Sequence, residues 1–412
     1  MQTKAKEKIN IVTLGCAKNL VDSEVLMTQL KGNKKDVFHQ REDINPDIVI
    51  INTCGFIDKA KQESIDTILK HAKEKEEGII KKLYVTGCLS ERYKDDLKTD
   101  IPEVDGFYGT RDLPELLKNF EAKYRNELLG DRIITTDSHY AYLKISEGCD
   151  RPCSFCAIPL MRGRHVSKPI DQIILEAKNL IRNGVREIML IAQDSTYYGI
   201  DIYKKRAMSE LLKKLSDVEG LDWIRIHYAY PAGFPMDIIE VMRERDNICN
   251  YLDIPLQHGS TNMLKIMKRG ITREKTDELI KNIRDINPEI ALRTTLIAGH
   301  PGETERDFQE MYDFVERSQF DRLGIFTYSH EEGTSAHKLE DDVPEQVKRS
   351  RSNKIMALQQ KISTQKNKNK VGKTVKVLVD RVDANNYYGR TEQDSPEVDN
   401  EVIIPSKEMH LR

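Results

Sequence analysis

The sequence predicts an α/β protein in three parts. They are an N-terminal parallel-sheet α/β domain over residues 1–137, a central partial (β/α)6 barrel with a linker helix over 138–365, and a small C-terminal β-barrel over 366–412. Three observations predict this. Short apolar runs rich in Val, Ile, Leu, Thr and Tyr alternate with helical stretches, the pattern of a parallel sheet covered by helices. The series restarts at Ala141 after a break. From Val371 the pattern changes to short strands without intervening helices.

Composition agrees with more than one domain. At roughly 100–200 residues per domain, 412 residues give two or three. Lys+Arg is 65 and Asp+Glu 67, for a net charge of −2, which excludes a globally basic nucleic-acid binder and leaves room only for a local patch. The longest apolar run, Ile188–Ala192, is far below the roughly 20 residues of a membrane span. The charged start MQTKAKEKIN is not followed by a signal-type apolar stretch, so a cytoplasmic chain is expected. In such a chain seven cysteines point to metal or catalysis rather than to disulfides.

Three early runs share one ending: IVTLGC (Cys16), IVIINTC (Cys54) and LYVTGC (Cys88). Each is a buried strand that stops at a small residue and a cysteine. The helical segments NLVDSEVLMTQLKG and IDKAKQESIDTILKHAKEK separate them. Spacings of 38 and 34 residues, about one βα unit each, set all three thiols on the carboxyl edge of one sheet. A lone strand-end cysteine is usually a small buried hydrophobe. Three at equivalent ends argue for one site.

The barrel strands are AYLKIS, EIMLIA, WIRIHY, YLDIPL, ALRTTLIA and RLGIFTY, two short of a complete barrel. The helices DQIILEAKNLIRNG, SELLKKLSD, TREKTDELIKNIRD and RDFQEMYDFVER separate most of them. Residues 344–370 carry eight Lys/Arg against one acid and read as a solvated connecting helix. The strands TVKVLVDRVD, YYGRTE and EVIIP follow in 42 residues, thin for an independent core, so the β-domain is expected to be incomplete here.

After the first barrel strand comes EGCDRPCSFCAIP, in which Cys149, Cys153 and Cys156 form C-x3-C-x2-C. Zinc normally takes four ligands, and the nearest imidazole is His165, nine residues beyond Cys156. Three thiolates on a [4Fe–4S] cluster would leave one iron open for a chelating substrate. The spacing favours the cluster over zinc.

These motifs resemble those of the radical S-adenosylmethionine (SAM) enzymes. Together with TLGCAKNLVDSE, NTCGFI and TGCL, they resemble the methylthiotransferases within that superfamily, along essentially the whole chain. The runs TLGCAKNLVDSE and CAIPLMRGRHVSKPI are similar to those of the RimO branch. The resemblance implies two [4Fe–4S] clusters, one on Cys149, Cys153 and Cys156 and one on Cys16, Cys54 and Cys88, with a TRAM-like C-terminal domain that binds substrate. It implies reductive cleavage of SAM to an adenosyl radical, and transfer of a methylthio group to the β-carbon of an aspartate in small-ribosomal-subunit protein S-twelve. That reaction consumes two SAM and an activated sulfur from an unspecified donor, and needs an electron donor such as a flavodoxin or ferredoxin. A tRNA methylthiotransferase acting on a modified adenosine is the alternative.

Other strand ends supply pocket candidates. Gln193 and Asp194 end the second barrel strand, and either forms a pocket or caps a loop. Gln257 and His258 follow the fourth, before Gly259 and Ser260, which also suit a turn and a helix cap. In TTLIAGHPGETERDF, residues 299–303 connect a strand tightly to a helix. The resemblance places Gly302 and Glu303 beside the SAM adenosine and raises Gln193 as a pocket residue, while Glu303 also suits the first turn of a helix. Arg293 faces either the lumen, where it could pair with the SAM carboxylate, or the helices. Cys249 has no partner by spacing and reads as structural, Trp223 as core. The remaining histidines, His39, His71, His139, His227, His330, His337 and His410, show no ligand spacing.

Charge points to a basic protein substrate. Between Val377 and Glu401 the acids Asp380, Asp383, Glu392, Asp394, Glu397, Asp399 and Glu401 face only Arg381 and Arg390, a net of −5. An acidic β-domain would repel nucleic acid and attract a ribosomal protein.

Overall fold

A computed structural model describes residues 7–128 and 130–408. The N-terminal sheet consists of β1 (Lys8–Thr13), β2 (Asp36–His39), β3 (Ile48–Thr53), β4 (Lys82–Gly87) and β5 (Gly106–Phe107). All its pairings are parallel, in the order β2-β1-β3-β4-β5. Side chains alternate across a strand, so the sheet buries two faces. Ile9, Ile11, Ile48 and Ile50 meet Leu26 and Leu30 of α1 (Ala17–Gly32). Val49, Ile51, Leu83 and Val85 meet Ile68 of α2 (Asp58–Glu76) and Leu97 of α3 (Cys88–Asp100). A short α4 (Leu113–Lys118) adds Leu116 and Leu117 to the first face.

The second sheet is the barrel wall. Its strands are β6 (Tyr140–Lys144), β9 (Glu187–Ile191), β10 (Trp223–Ile226), β11 (Ile248–Asp253), β12 (Ala291–Ala298) and β13 (Arg322–Thr327). They run parallel in sequential order and leave β6 and β13 as open edges. A two-residue ribbon, β7 (Ser146–Glu147) with β8 (Val166–Ser167), follows the first of them. Leu143, Leu190, Ile226, Leu252 and Leu296 face outward onto the helices. Those helices include α6 (Ile170–Arg182), α8 (Met208–Ser216), α9 (Asp237–Glu244), α11 (Arg273–Ile286) and α12 (Glu305–Ser318), with shorter α5 (Ile158–Arg162), α7 (Ile200–Tyr203) and α10 (Thr261–Ile266) in the loops. Tyr140, Tyr142, Met189 and Ile191 face inward, and α1 lays Val21, Leu20 and Val25 on them. The first helix of one domain thus lines the lumen of the next.

The charge run forms α13 (Glu345–Lys368) but is not a solvated connector. It buries Ile355, Leu358 and Ile362, and two of its cations turn inward. Lys348 pairs with Asp341 at 2.7 Å and Arg351 with Glu303 at 2.9 Å.

Beyond it, β14 (Val377–Val382), β15 (Asn386–Thr391) and β16 (Val402–Pro405) form an antiparallel three-stranded sheet. The loop after β15 enters the barrel from below. Asp399 meets Arg293 at 2.6 Å, Asp394 meets Arg322, and Arg225 donates to the Glu392 carbonyl at 2.6 Å. Asp380 pairs with Arg390 at 2.7 Å, and Arg390 with Glu187 of β9 at 2.7 Å. Two of the seven acids, Asp394 and Asp399, are thus paired with barrel arginines and do not contribute to a substrate-attracting surface, which weakens the charge argument for a basic partner. Among the described residues no helix is long and apolar enough to cross a membrane. His410 lies outside the described residues.

Candidate functional site

Three loops of the first sheet meet over its carboxyl edge. Cys16 precedes α1, Cys54 follows β3 by one residue and Cys88 opens α3. The thiols lie within electrostatic reach of one another. Glycine makes the approach possible. Gly15 has φ +93°, and a Cβ there would stand 2.6 Å from the Cys54 Cβ. A Cβ on Gly55 would stand 2.9 Å from the Leu89 backbone. Cys54 is fixed by Ser64, whose Oγ accepts its N–H at 3.0 Å and donates to its carbonyl at 2.9 Å. Burial pushes the Cys88 thiol up to about 12 and also raises Cys54. Against that burial, Arg162 of α5 donates Nε to the Cys88 sulfur at 3.3 Å, an interaction that favours a thiolate.

The second group sits on one loop of the barrel mouth. Gly148, at φ +78°, turns the chain out of β7, and the Cys149 N–H donates to the Gly163 carbonyl at 3.0 Å. The Arg151 amide donates to the Cys149 sulfur at 3.4 Å and Arg269 Nη1 to the Cys153 sulfur at 3.1 Å. The loop is pinned below by Ser154, which donates to the Met267 carbonyl at 3.0 Å and accepts from Ala336 at 2.7 Å. Burial raises Cys149 to about 11 and Cys156 to about 12. Cys54 and Cys88 are buried, Cys16 is exposed and the three barrel cysteines are half-buried, and in each group a guanidinium donates to one sulfur. Among the described residues no set of three or more His, Cys, Asp or Glu side chains converges on a single-ion site.

A charged seam joins the two groups. Arg162 reaches Asp22 of α1 at 2.6 Å and Glu147 at 3.2 Å, and Lys144 pairs with the same two acids, with Glu147 at 2.6 Å. Burial alone would raise the Glu147 carboxyl, but Lys144 and Arg162 together hold it at about 2. Asn19 binds the Leu14 and Thr53 carbonyls at 2.8 and 2.9 Å and accepts from Arg162. On the opposite side Glu331 receives Arg92 at 2.7 Å and Lys61 at 3.0 Å. The sequence reading missed this seam. Its one local signal was strand-end position, which applies to Lys144.

The sequence candidates fall as follows. Gln193 donates to Glu147 at 2.6 Å and keeps its Oε1 buried without a partner among the described residues, so it faces the mouth. Asp194 caps the next turn by accepting from the Thr196 amide at 2.9 Å, and it holds Arg151 at 2.7 Å. Gln257 sits at φ +76° and bridges to Leu296. Ser260 precedes α10, and its hydroxyl donates to Asp307 at 2.6 Å. Glu303 does not serve the first turn of α12, where Thr304 and Asp307 form the capping box. It turns back to the Gly299 amide at 2.7 Å and to Arg351. The Gly302 amide donates to Asp342 at 2.8 Å. Arg293 faces the lumen and is already held by Asp399. His165 turns to Ser167 at 2.9 Å. Cys249 and Trp223 pack together with Tyr251 and Ala291.

Comparison with known proteins matches residues 143–315 to the Radical SAM superfamily, 8–109 to Uncharacterized protein family UPF0004, and 371–411 to the TRAM domain. The solved radical S-adenosylmethionine methyltransferase TsrM from Kitasatospora setae, with cobalamin and a [4Fe-4S] cluster bound, superposes with TM-score 0.56 at 14% identity, covering 78% of this chain and 75% of that one. The cobalamin-dependent radical enzyme OxsB superposes with TM-score 0.54 at 13% identity, covering 87% and 56%. At that identity the likeness concerns the fold alone. Over the full length the sequence is 60% identical to a Cytophaga hutchinsonii protein, covering 99% of this chain and 93% of that one. It is 54% identical to a Bacteroides fragilis protein, covering 97% and 93%. Both are named ribosomal protein uS12 methylthiotransferase RimO. The chain therefore belongs to the RimO family of radical SAM methylthiotransferases.

Proposed function

We propose that this protein methylthiolates the β-carbon of an aspartate in ribosomal protein uS12, using two SAM and an activated sulfur. The observation that carries the reading is identity of 54–60% over nearly the whole length to relatives bearing that name. An iron–sulfur cluster and SAM come with the superfamily. In our reading there are two clusters, on Cys149, Cys153 and Cys156 and on Cys16, Cys54 and Cys88. What supports both is the donor chemistry: three thiols in electrostatic reach, glycines that leave room, and Arg269 or Arg162 donating to a sulfur. When bound, these groups supply reductive SAM cleavage and the sulfur for transfer.

The chain's own residues then have distinct tasks. Gln193, with its free carbonyl oxygen, Gln257 and Gly302 form the SAM pocket. Glu303 positions the Gly299 turn beside them. Arg293 serves the lumen floor through Asp399. The seam of Asp22, Glu147, Lys144 and Arg162 keeps the two cysteine groups in one frame. The working division is an N-terminal domain over 1–137, a barrel with linker helix over 138–365 and a TRAM domain from 366. The setting is the cytoplasm, with a flavodoxin or ferredoxin as electron donor and a separate sulfur donor.

Mass spectrometry of a strain lacking the gene tests the reading. Loss of one methylthio group from intact uS12, with tRNA nucleosides unchanged, is the expected result. Loss from tRNA alone would overturn it.

A further inference from the structure

Lys18 is in an unfavourable place for a lysine. It lies in the first turn of α1, where the helix dipole is positive, and that turn holds no acidic residue. It is 8% exposed, and a buried charge is costly unless it is paired. Its neighbours are paired: Lys144 and Arg162 share Asp22 and Glu147, and Arg293 has Asp399. Among the described residues no carboxylate comes within ion-pair distance of Lys18. Its ammonium rests 3.2 Å from the ring centroid of Tyr228, just beyond the end of β10. Asp253, the lumen carboxylate on the adjoining strand, faces the Tyr228 amide at 3.1 Å and Arg293 at 3.7 Å instead.

The side chain therefore crosses from the first domain into the barrel mouth, two residues from Cys16, and presents there an ammonium that has the Tyr228 ring but no carboxylate as partner. The proposed substrate brings a matching group. The β-carbon of aspartate carries a carboxylate, so placing that carbon in the mouth puts a negative charge there too. We infer that Lys18 binds the side-chain carboxylate of the target aspartate, so that the ammonium gains a carboxylate partner when substrate is seated. The inference rests on the uS12 reading above. It makes Lys18 a specificity residue, because an amide or an apolar side chain would leave the ammonium unpaired.

The test uses the anaerobically reconstituted full-length enzyme and two synthetic uS12 peptides, one with the target aspartate and one with asparagine there. Wild type is expected to bind the aspartate peptide at least about tenfold more tightly than the asparagine peptide. Lys18→Met should lose that discrimination by weakening only the aspartate complex, raising KM more than it lowers kcat, with iron content unchanged. Lys18→Arg should restore part of it. Unchanged discrimination in K18M, with wild type active, overturns the carboxylate assignment alone. So does loss of iron in both variants, which would make the lysine a support for the cysteine site. A wild-type enzyme that neither binds nor modifies either peptide overturns the uS12 reading and this inference with it.

Discussion

The two cysteine groups reach similar surroundings by opposite routes. One is written in eight consecutive residues, Cys149–Cys156, on a single loop. The other is assembled from Cys16, Cys54 and Cys88, which only the parallel order β1-β3-β4 brings together. A contiguous group depends on its loop. A distributed group depends on the register of a whole sheet and on the glycines that let its ends converge. The difference teaches where each is vulnerable.

The largest effect should come from the thiols. Cys54→Ala and Cys153→Ala are each expected to abolish methylthiolation while removing about half of the reconstituted iron, measured by iron analysis and product mass. Full product from Cys54→Ala would end the idea that the distributed group takes part. Gly15→Ala is the sharper variant, since it leaves every thiol in place. The position has φ +93°, and a Cβ would press on Cys54 at 2.6 Å. Left-handed backbone costs a non-glycine residue about 1–2 kcal/mol, and the clash adds to it. Iron should fall at the distributed group only, whereas a glycine-to-alanine change at open Gly372 should cost no iron.

That contrast explains what could be read from sequence. The C-x3-C-x2-C loop and six barrel strands were legible because each is local: a fixed spacing, or an apolar run of strand length. β2 and β5 were not, being four and two residues long with no period to show. The seam was not legible because Arg162, Lys144 and Asp22 look in sequence like ordinary surface charges. Only the packing of α1 across the lumen brings them together. The acidic β-domain pointed to the protein substrate that the relatives' names carry, but its charge argument was incomplete for the same reason. Composition gives the sign of a charge and not its direction, and Asp394 and Asp399 point inward to Arg322 and Arg293.

If the two groups act as one site, separating them should matter even with both intact. Glu331 is 2% exposed and ties Arg92 and Lys61 of the first domain to the segment after β13. Removing one partner of a buried ion pair leaves the others uncompensated and costs about 3–5 kcal/mol. Glu331→Ala should lower the denaturation midpoint accordingly and depress product, while iron per chain stays at the wild-type value. Normal product in a destabilised Glu331→Ala enzyme would show that the groups need no fixed frame.

The smallest effect concerns the floor beneath the barrel group, which the distributed group lacks. His227 follows β10 in the lumen and shares a 3.2 Å hydrogen bond with Ser395 of the loop that enters from below. Burial, with Arg225 and Arg293 nearby, pulls its pKa well below 6.5. The folded imidazole therefore stays neutral where the unfolded one takes up a proton, so stability is full above about 6.5. As pH falls below that value the unfolded state gains the proton, and stability is lost at up to about 1.4 kcal/mol per pH unit until the folded pKa is reached. Between pH 7.5 and 5.5, before most carboxylates titrate, urea denaturation of wild type should show a slope to which half-buried His39 and buried His165 and His300 also contribute, and His227→Gln should reduce it. An equal slope in both would mean that the loop is held by the Asp394 and Asp399 pairs alone, and that the histidine is a bystander beneath the site.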